Sequence, residues 1–446
     1  MRAWDAQRVA AAAGASLLRG PAAGERGPVY AAVDSRSAGP GDLFVGLRGD
    51  RVDGGRFAAA ALTAGAWGVL VEPAHASAAV AATGAGAVLA ADNPLTALWR
   101  LATAWRRDLG ATVIGVTGST GKTSTKDLLG AVLSPARRTV TSRANFNTEI
   151  GVPLQILAAP QGTEVLVLEM AMRGAGQIAL LARIAEPDVG VIVSIGPVHL
   201  EQLGSLEAIA SAKAELVAAL APSATAVLPA GERLLEPHLR TDVKTLTFGP
   251  DGDVRLVAQH GESVEIDAQG EHLTLTVNFD EAHLRHDLLA AVAAAIAIGV
   301  RPAGKIELVR APGRGLHRLL PRGVTLIDDA YNANPMSMRA ALDALAVTPA
   351  QGRRVAVLGD MLELGPEAGR YHREIGAYAN GIADLLVSVG PLAAAMAVTF
   401  RGEHQLVADA ATAAALLDEI LSPGDVVLVK GSNGVGLKLI CEKLLA

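Results

Sequence analysis

The chain has a single cysteine, Cys441, among 446 residues. No disulfide can staple it internally, which suits a protein of the reducing cytoplasm. Aromatic residues make up only 3%, and 39 basic residues face 45 acidic ones for a net charge of −6. A nucleic-acid surface needs a basic footprint and stacking rings, and neither is present. Long hydrophobic runs are missing too. The longest, Leu288–Val300, falls short of the about 20 residues that span a bilayer. A shorter apolar run, Val9–Leu18, follows Asp5 and Arg8 and reads as an ordinary amphipathic helix rather than a signal peptide. These absences leave a soluble cytoplasmic protein with no nucleic-acid partner and no membrane insertion; small-molecule substrates and a monomeric state are expected.

Half the residues are apolar, and alanine and valine supply most of them, a composition suited to helices packed on parallel sheets. The length exceeds what one core supports, so several domains are expected. Residues 1–108 show short strands and turns, then a helix opened by A-D-N-P (91–94) that runs to R-R-D-L-G (106–110). Residues 109–312 alternate strand and helix: Thr112–Thr117, a helix from Lys122 to Ser134, E-V-L-V-L-E (164–169), helix 176–185, V-G-V-I-V-S-I (189–195) and helix 205–220. That order predicts a parallel, doubly wound α/β sheet. Short alternating strands over 241–279 predict an antiparallel patch, closed by helix 284–299. After the loop A-P-G-R-G (311–315), residues 313–446 resume βα alternation as a third, Rossmann-like α/β domain that lacks G-x-G-x-x-G.

The stretch G-V-T-G-S-T-G-K-T-S-T-K (115–126) carries the clearest chemistry. A standard phosphate loop would place a glycine where Val116 stands, so the usable pattern is Gly118-Ser119-Thr120-Gly121-Lys122-Thr123, continued by Ser124. Glycines after an apolar strand that open a helix present backbone N–H groups and a helix N-terminus to phosphate. Lys122 would reach the β- and γ-phosphates, and the Thr123 hydroxyl would bind Mg²⁺. Glu169 ends one strand and His199 follows another, so adjacent strand ends would gather Thr123, Glu169 and His199 around a metal–nucleotide site. Taken singly, Glu169 also reads as a solvated strand end and His199 as a satisfied loop histidine. Lys213, set among alanines in S-L-E-A-I-A-S-A-K-A-E-L, reads from local pattern as a solvent-facing helix lysine. Ser35 and Arg36, in V-D-S-R (33–36), could hold a uracil or diphosphate or could form a turn with an ion pair; the residues do not separate the two. D-D-A-Y-N-A-N-P (328–335) concentrates polar groups just after a strand, more than turn chemistry requires.

These motifs, in this order, resemble the Mur ligases of bacterial cell-wall synthesis. The matching segments are D-S-R-x-x-x-P-G-D-L-F-V-G-L, T-G-S-T-G-K-T-S-T-K, N-F-N-T-E-I-G-V-P-L (145–154), E-M-A-M-R-G-A-G-Q-I, I-G-P-V-H-L-E-Q-L-G-S, A-K-A-E-L, D-D-A-Y-N-A-N-P-M-S-M, V-L-G-D-M-L-E-L-G (357–365) and L-V-K-G-S-N (428–433). N-F-N-x-E-I-G-V-P and D-D-x-Y-N-A-N-P are similar to the member that adds D-alanyl-D-alanine to UDP-N-acetylmuramoyl-tripeptide. The resemblance implies domains for UDP-sugar, ATP and dipeptide in turn, and a carboxylate activated as an acyl phosphate and then attacked by an amine. It implies Thr123, Glu169, His199 and a carbamylated Lys213 as ligands of Mg²⁺, two ions in all, with Lys122, His199 and Lys213 catalytic. Arg314, Asp329 and Asp287 are implied to contact ATP. Asn145, Asn147 and Thr148 would face the substrate, and Tyr331, Asn332 and Asn334 the dipeptide.

Three positions depart from the family pattern. D-G-H-x-F reads D-G-G-R-F (53–57), with Arg56 a candidate to compensate for the lost histidine; E-M-G reads E-M-A, with Ala171 a tolerated turn change. Asp287 occupies the place of an asparagine, and a carboxylate can accept from adenine but cannot donate. A sister ligase adding one amino acid is the nearest rival, but its D-N-P-R signature is missing. A folylpolyglutamate-synthase-like activity would leave the D-S-R domain unexplained, and a nucleotide-gated scaffold would leave Glu169, His199 and Lys213 without a task.

Overall fold

In the computed structural model the described residues are 1–445 apart from 22, 23, 25, 83–85 and 144. They form three sheets. The first has five strands in the order Ser16–Arg19, Ala87–Ala90, Gly68–Val71, Leu43–Val45 and Ala31–Ala32, parallel except at the Ser16–Arg19 edge. Its inner strands are buried along their whole length, as expected of parallel strands covered on both faces. The Val9–Leu18 run is not one helix. It divides at Gly14, whose φ of +65° ends helix Ala6–Ala13 and turns the chain into the edge strand.

The central sheet has ten strands. The antiparallel patch expected over 241–279 is present as three strands of this same sheet, and only its first strand departs from the expectation. Lys244–Phe248 pairs parallel with Thr225–Pro229, and the antiparallel strands Val254–His260, Ser263–Ala268 and Glu271–Val277 extend the same sheet outward. Thr225–Pro229 and Lys244–Phe248 are linked by a crossover through Arg233–His238, which allows their parallel pairing. At the functional end of the sheet, Thr112–Thr117 lies between Val165–Glu169 and Val189–Ile192, all parallel. Their carboxyl ends therefore open side by side, where ligands collect in such sheets.

The third sheet has the order Leu316–Leu319, Thr325–Asp328, Val426–Lys430, Arg354–Gly359, Leu385–Val389 and Glu403–Val407, parallel beyond the first pair. It sends Asp329–Asn334, Lys430 and the Met361–Gly365 loop from adjacent strand ends toward the central sheet. The two domains touch: Met336 packs on Gly196 with no room for a β-carbon, and Gly365 lies on Glu201.

Helix Pro94–Leu109 clamps the first sheet to the central domain. Asn93 caps its start, accepting from Thr96 N at 2.9 Å, and Gly110 ends it. Trp99 and Trp105 donate across the boundary to the carbonyls of Glu149 (2.7 Å) and Ala159 (3.1 Å), and Trp105 also meets Trp4 edge to face. Trp105→Ala is expected to cost about 3–5 kcal/mol of unfolding free energy by denaturant titration, because it deletes a buried indole and orphans a carbonyl. A loss below about 1 kcal/mol would show that this helix is not the clamp.

Candidate active site

A cavity of about 1010 Å³ lies between the central and third domains. Helix Lys122–Leu133 begins at its floor. Gly121 precedes the helix at φ +78°, and the Asp287 carboxyl fills the space a β-carbon would need, so glycine is required twice over. The loop is braced from the neighbouring strand: Ser119 N donates to Ser194 O (2.9 Å), Thr120 N to Ser194 Oγ (2.9 Å), and Ser119 Oγ exchanges hydrogen bonds with Gly196. The Ser119 side chain is thus committed to the loop's own geometry. Lys122 curls back to Gly118 O at 2.7 Å.

Glu169 is 2% exposed at the end of its strand, not solvated. It accepts from Thr123 Oγ1 and from Asn147 Nδ2, each at 2.8 Å. His199 stands at the mouth of the next loop with φ +53°, its Nδ1 paired to Glu363 of the third domain. Lys213 corrects the reading from local pattern: it is 2% exposed, because helix Leu206–Ala218 is packed against neighbouring helices and strands and buries residues around most of its circumference. Burial and the nearby charge of Lys122 together hold the Lys213 amine well below the ordinary lysine range. Burial also lowers Lys122, against the pull of Glu169 and helped by Arg314. His199 is lowered by burial, with Glu363 opposing and Lys213 and Lys122 adding to the effect. Loop, Glu169, His199, Lys213 and Arg314 thus feel one another's fields.

Across the cavity, Arg314 stacks on the Tyr331 ring at 4.0 Å. Asp329 pairs with buried Lys430 at 2.6 Å, and Lys430 also donates to Asn332 O at 2.9 Å. The Asn334 carbonyl oxygen is taken by Ser337 N as the cap of helix Pro335–Val347, leaving only its amide nitrogen for a ligand. Asn145, Asn147 and Thr148 line the opposite wall.

Ser35 and Arg36 do not reach this cavity. They sit on the first domain, where Arg36 folds onto Asp34 in a turn with an ion pair and draws the Asp34 carboxyl down to about 2. The space vacated at Gly55 is taken by His75 and not by Arg56: the imidazole lies where a β-carbon would project, and its Nε2 bonds Asp53 Oδ2 at 2.7 Å. Nothing in the spacing from 55 to 75 announces this. Lys430, Glu363 and the Glu281–Arg310 pair beside the cavity (2.6 Å) also escaped the sequence reading, although Lys430 and Glu363 lie inside segments it quoted.

Asp287 is buried, stands against the loop and accepts from Ser124, and burial raises its pKa well above the carboxylate range. Burial thus favours the protonated form, the one form of this side chain that carries an O–H donor.

Among the described residues no three histidine, cysteine, aspartate or glutamate side chains converge on one point. A cation here would rest on Glu169, the Thr123 hydroxyl, its ligand's phosphates and one imidazole nitrogen of His199, a mostly oxygen set with few carboxylates that fits Mg²⁺.

Comparison with known proteins bears on this geometry. Residues 31–105 match the model "Mur ligase family, catalytic domain", 116–295 "Mur ligase middle domain", and 316–433 "Mur ligase, glutamate ligase domain". The chain is 39% identical to a UDP-N-acetylmuramoyl-tripeptide–D-alanyl-D-alanine ligase of Synechocystis, over 93% of this chain and 91% of that one. It is 36% identical to its Bacillus subtilis counterpart, over 93% and 92%. Among solved structures, MurF of Thermotoga maritima in complex with ADP matches with a TM-score of 0.80 at 30% identity, over 93% of this chain and 96% of that one.

Two tests follow from the geometry. A buried acid kept neutral costs nothing below about pH 4, where the unfolded carboxyl is also protonated; above that, folding must take up a proton and stability falls as pH rises. Asp287→Asn should therefore leave Tm nearly unchanged at pH 4 and raise it by several degrees at pH 8, and equal shifts at both would contradict the neutral acid. Gly55→Ala should destabilise by about 1–3 kcal/mol through overpacking against His75. Adding His75→Ala should recover much of that loss in a double-mutant cycle, whereas strict additivity would separate the two residues.

Proposed function

The chain belongs to the Mur ligase family, and from that premise we propose that it is an ATP-dependent, ADP-forming ligase. It joins D-alanyl-D-alanine to UDP-N-acetylmuramoyl-tripeptide, making the pentapeptide precursor of peptidoglycan and so serving wall growth and cell division. One observation carries this reading: a phosphate loop with Lys122, the buried Glu169 carboxylate and the buried Lys430 share one cavity with the polar Asp329–Asn334 segment of another domain, and the buried Lys213 lies within the field of Lys122. In this reading residues 1–108 hold the UDP-sugar, 109–312 ATP and 313–446 the dipeptide, in a monomer of the cytoplasm.

The reaction must bring a carboxylate onto an already anionic γ-phosphate. Lys122 and Arg314 supply positive charge to the phosphates, and the loop from Gly118 to Ser124 supplies backbone donors that are already oriented. Thr123, Glu169 and His199 would hold Mg²⁺, which neutralises the phosphate oxygens when bound. The Lys213 amine, favoured neutral by burial, is suited to add CO₂ and become a carbamate, releasing a proton and turning a buried amine into an anion that would serve as a metal ligand. Asn145, Asn147 and Thr148 orient the tripeptide end. Its terminal carboxylate oxygen then bonds to the γ-phosphorus while the bond to ADP breaks, giving an acyl phosphate. The free amine of the dipeptide, held by Tyr331, Asn332 and the amide nitrogen of Asn334, adds to that carbonyl. The tetrahedral adduct loses a proton and expels phosphate. Asp329, fixed by Lys430, faces the nucleotide across the cavity, with Asp287 beneath the loop.

ADP and phosphate should be released stoichiometrically only when both the UDP-tripeptide and D-alanyl-D-alanine are present, and Lys122→Ala should lower kcat at least about 10²–10³-fold. Release with a single amino acid in place of the dipeptide would assign the chain to a sister ligase instead.

A further inference from the structure

Four non-glycine residues have positive φ among the described residues, and two of them, His199 at +53° and Glu363 at +62°, face each other across a domain boundary. Each such backbone is unfavourable for a residue with a side chain and persists only where its surroundings enforce it. Their contact is both main chain and side chain. Glu363 O accepts from Glu201 N at 3.1 Å, and Gly365, itself at φ +58°, lies against Glu201. One Glu363 carboxylate oxygen, Oε2, takes His199 Nδ1, while Oε1 faces the Arg173 guanidinium at 3.9 Å. The Met361–Gly365 loop of the third domain thus clasps the turn that carries His199. An ordinary surface ion pair needs no strained backbone on either partner, and both side chains here are partly shielded, 25% and 32% exposed.

The chemistry of the pair is specific. A carboxylate beside Nδ1 makes that nitrogen the N–H donor, which leaves the Nε2 lone pair as the only one available to a cation or a proton. His199 lies within the fields of Lys122 and Lys213, so the face it presents matters to the group bound beside the loop. Because His199 belongs to the central domain and Glu363 to the third, this tautomer is imposed only while the two are docked.

We propose that Glu363 is a positioning residue: docking of the third domain brings its carboxylate onto His199, fixes the Nδ1–H tautomer and aims Nε2 into the site. Domain closure and completion of the site are then one event, and a phosphate loop loaded in the open state lacks a correctly presented His199. This rests on the ligase reading only for its kinetic consequence.

The test uses the full chain as wild type, Glu363→Gln and Glu363→Ala. Imidazole ¹⁵N spectra of the substrate-free proteins should report the Nδ1–H tautomer of His199 in wild type and in Glu363→Gln, whose amide oxygen still accepts. In Glu363→Ala the spectrum should shift toward Nε2–H. In the ligation assay Glu363→Ala should lose about 10–100-fold in kcat, with KM for D-alanyl-D-alanine and Tm nearly unchanged, and Glu363→Gln should recover most of it. A His199 that stays Nδ1–H in Glu363→Ala, or Gln and Ala variants equally impaired, overturns the proposal. If wild type fails to ligate yet the tautomer follows position 363, the ligase reading falls and the positioning role stands.

Discussion

The site depends on a charge imbalance. Two lysines, Lys122 and Lys213, are enclosed near a single buried carboxylate, Glu169, with Arg314 and His199 close by. Enclosing unpaired ammonium groups is costly, and both respond by losing proton affinity. The carboxylates across the cavity do not answer them, because Glu281 is paired with Arg310 and Asp329 with Lys430. A polyphosphate supplies negative charge, and so would a carbamate on Lys213. The positive charge of Lys122, Lys213 and Arg314 beside the loop is what would allow a second anion, a carboxylate, to approach a phosphate it would otherwise repel.

The architecture serves that imbalance by placing each group from a rigid end. Strand Thr112–Thr117 lies between the strands that end at Glu169 and lead to His199, so loop, carboxylate and imidazole are neighbours by sheet order and not by loop flexibility. The braces from Ser194 and Gly196 to Ser119 and Thr120 keep the loop open for a ligand. The opposite wall comes from the third domain, whose contacts at Met336, Glu363 and Gly365 mark where the two halves meet. Under the proposed mechanism, chemistry divided between two domains in this way would make their docking a condition of reaction and exclude water from the cavity.

Much of this was legible in the chain. The glycine loop, its flanking strand and helix, and the strand-end positions of Glu169 and His199 follow from period and order alone. Lys213 was not, because an alanine-rich helix has no polar stripe to mark its solvent side, and burial came from tertiary packing. For Asp287 the chain gives the position but not the environment, since the desolvation that favours its protonated form comes from tertiary packing that no local pattern carries. Glu363 and His75 act across boundaries that spacing does not encode: one meets a histidine 164 residues away, the other fills a gap left by Gly55. The parallel pairing of Lys244–Phe248 was missed because a short alternating strand reads the same in either direction.

The central claim is that the carboxylate, not water, takes the γ-phosphoryl group. UDP-N-acetylmuramoyl-tripeptide labelled with ¹⁸O in its terminal carboxylate tests it directly. The account requires one ¹⁸O to appear in each phosphate released as the dipeptide is joined; phosphate free of label would contradict it.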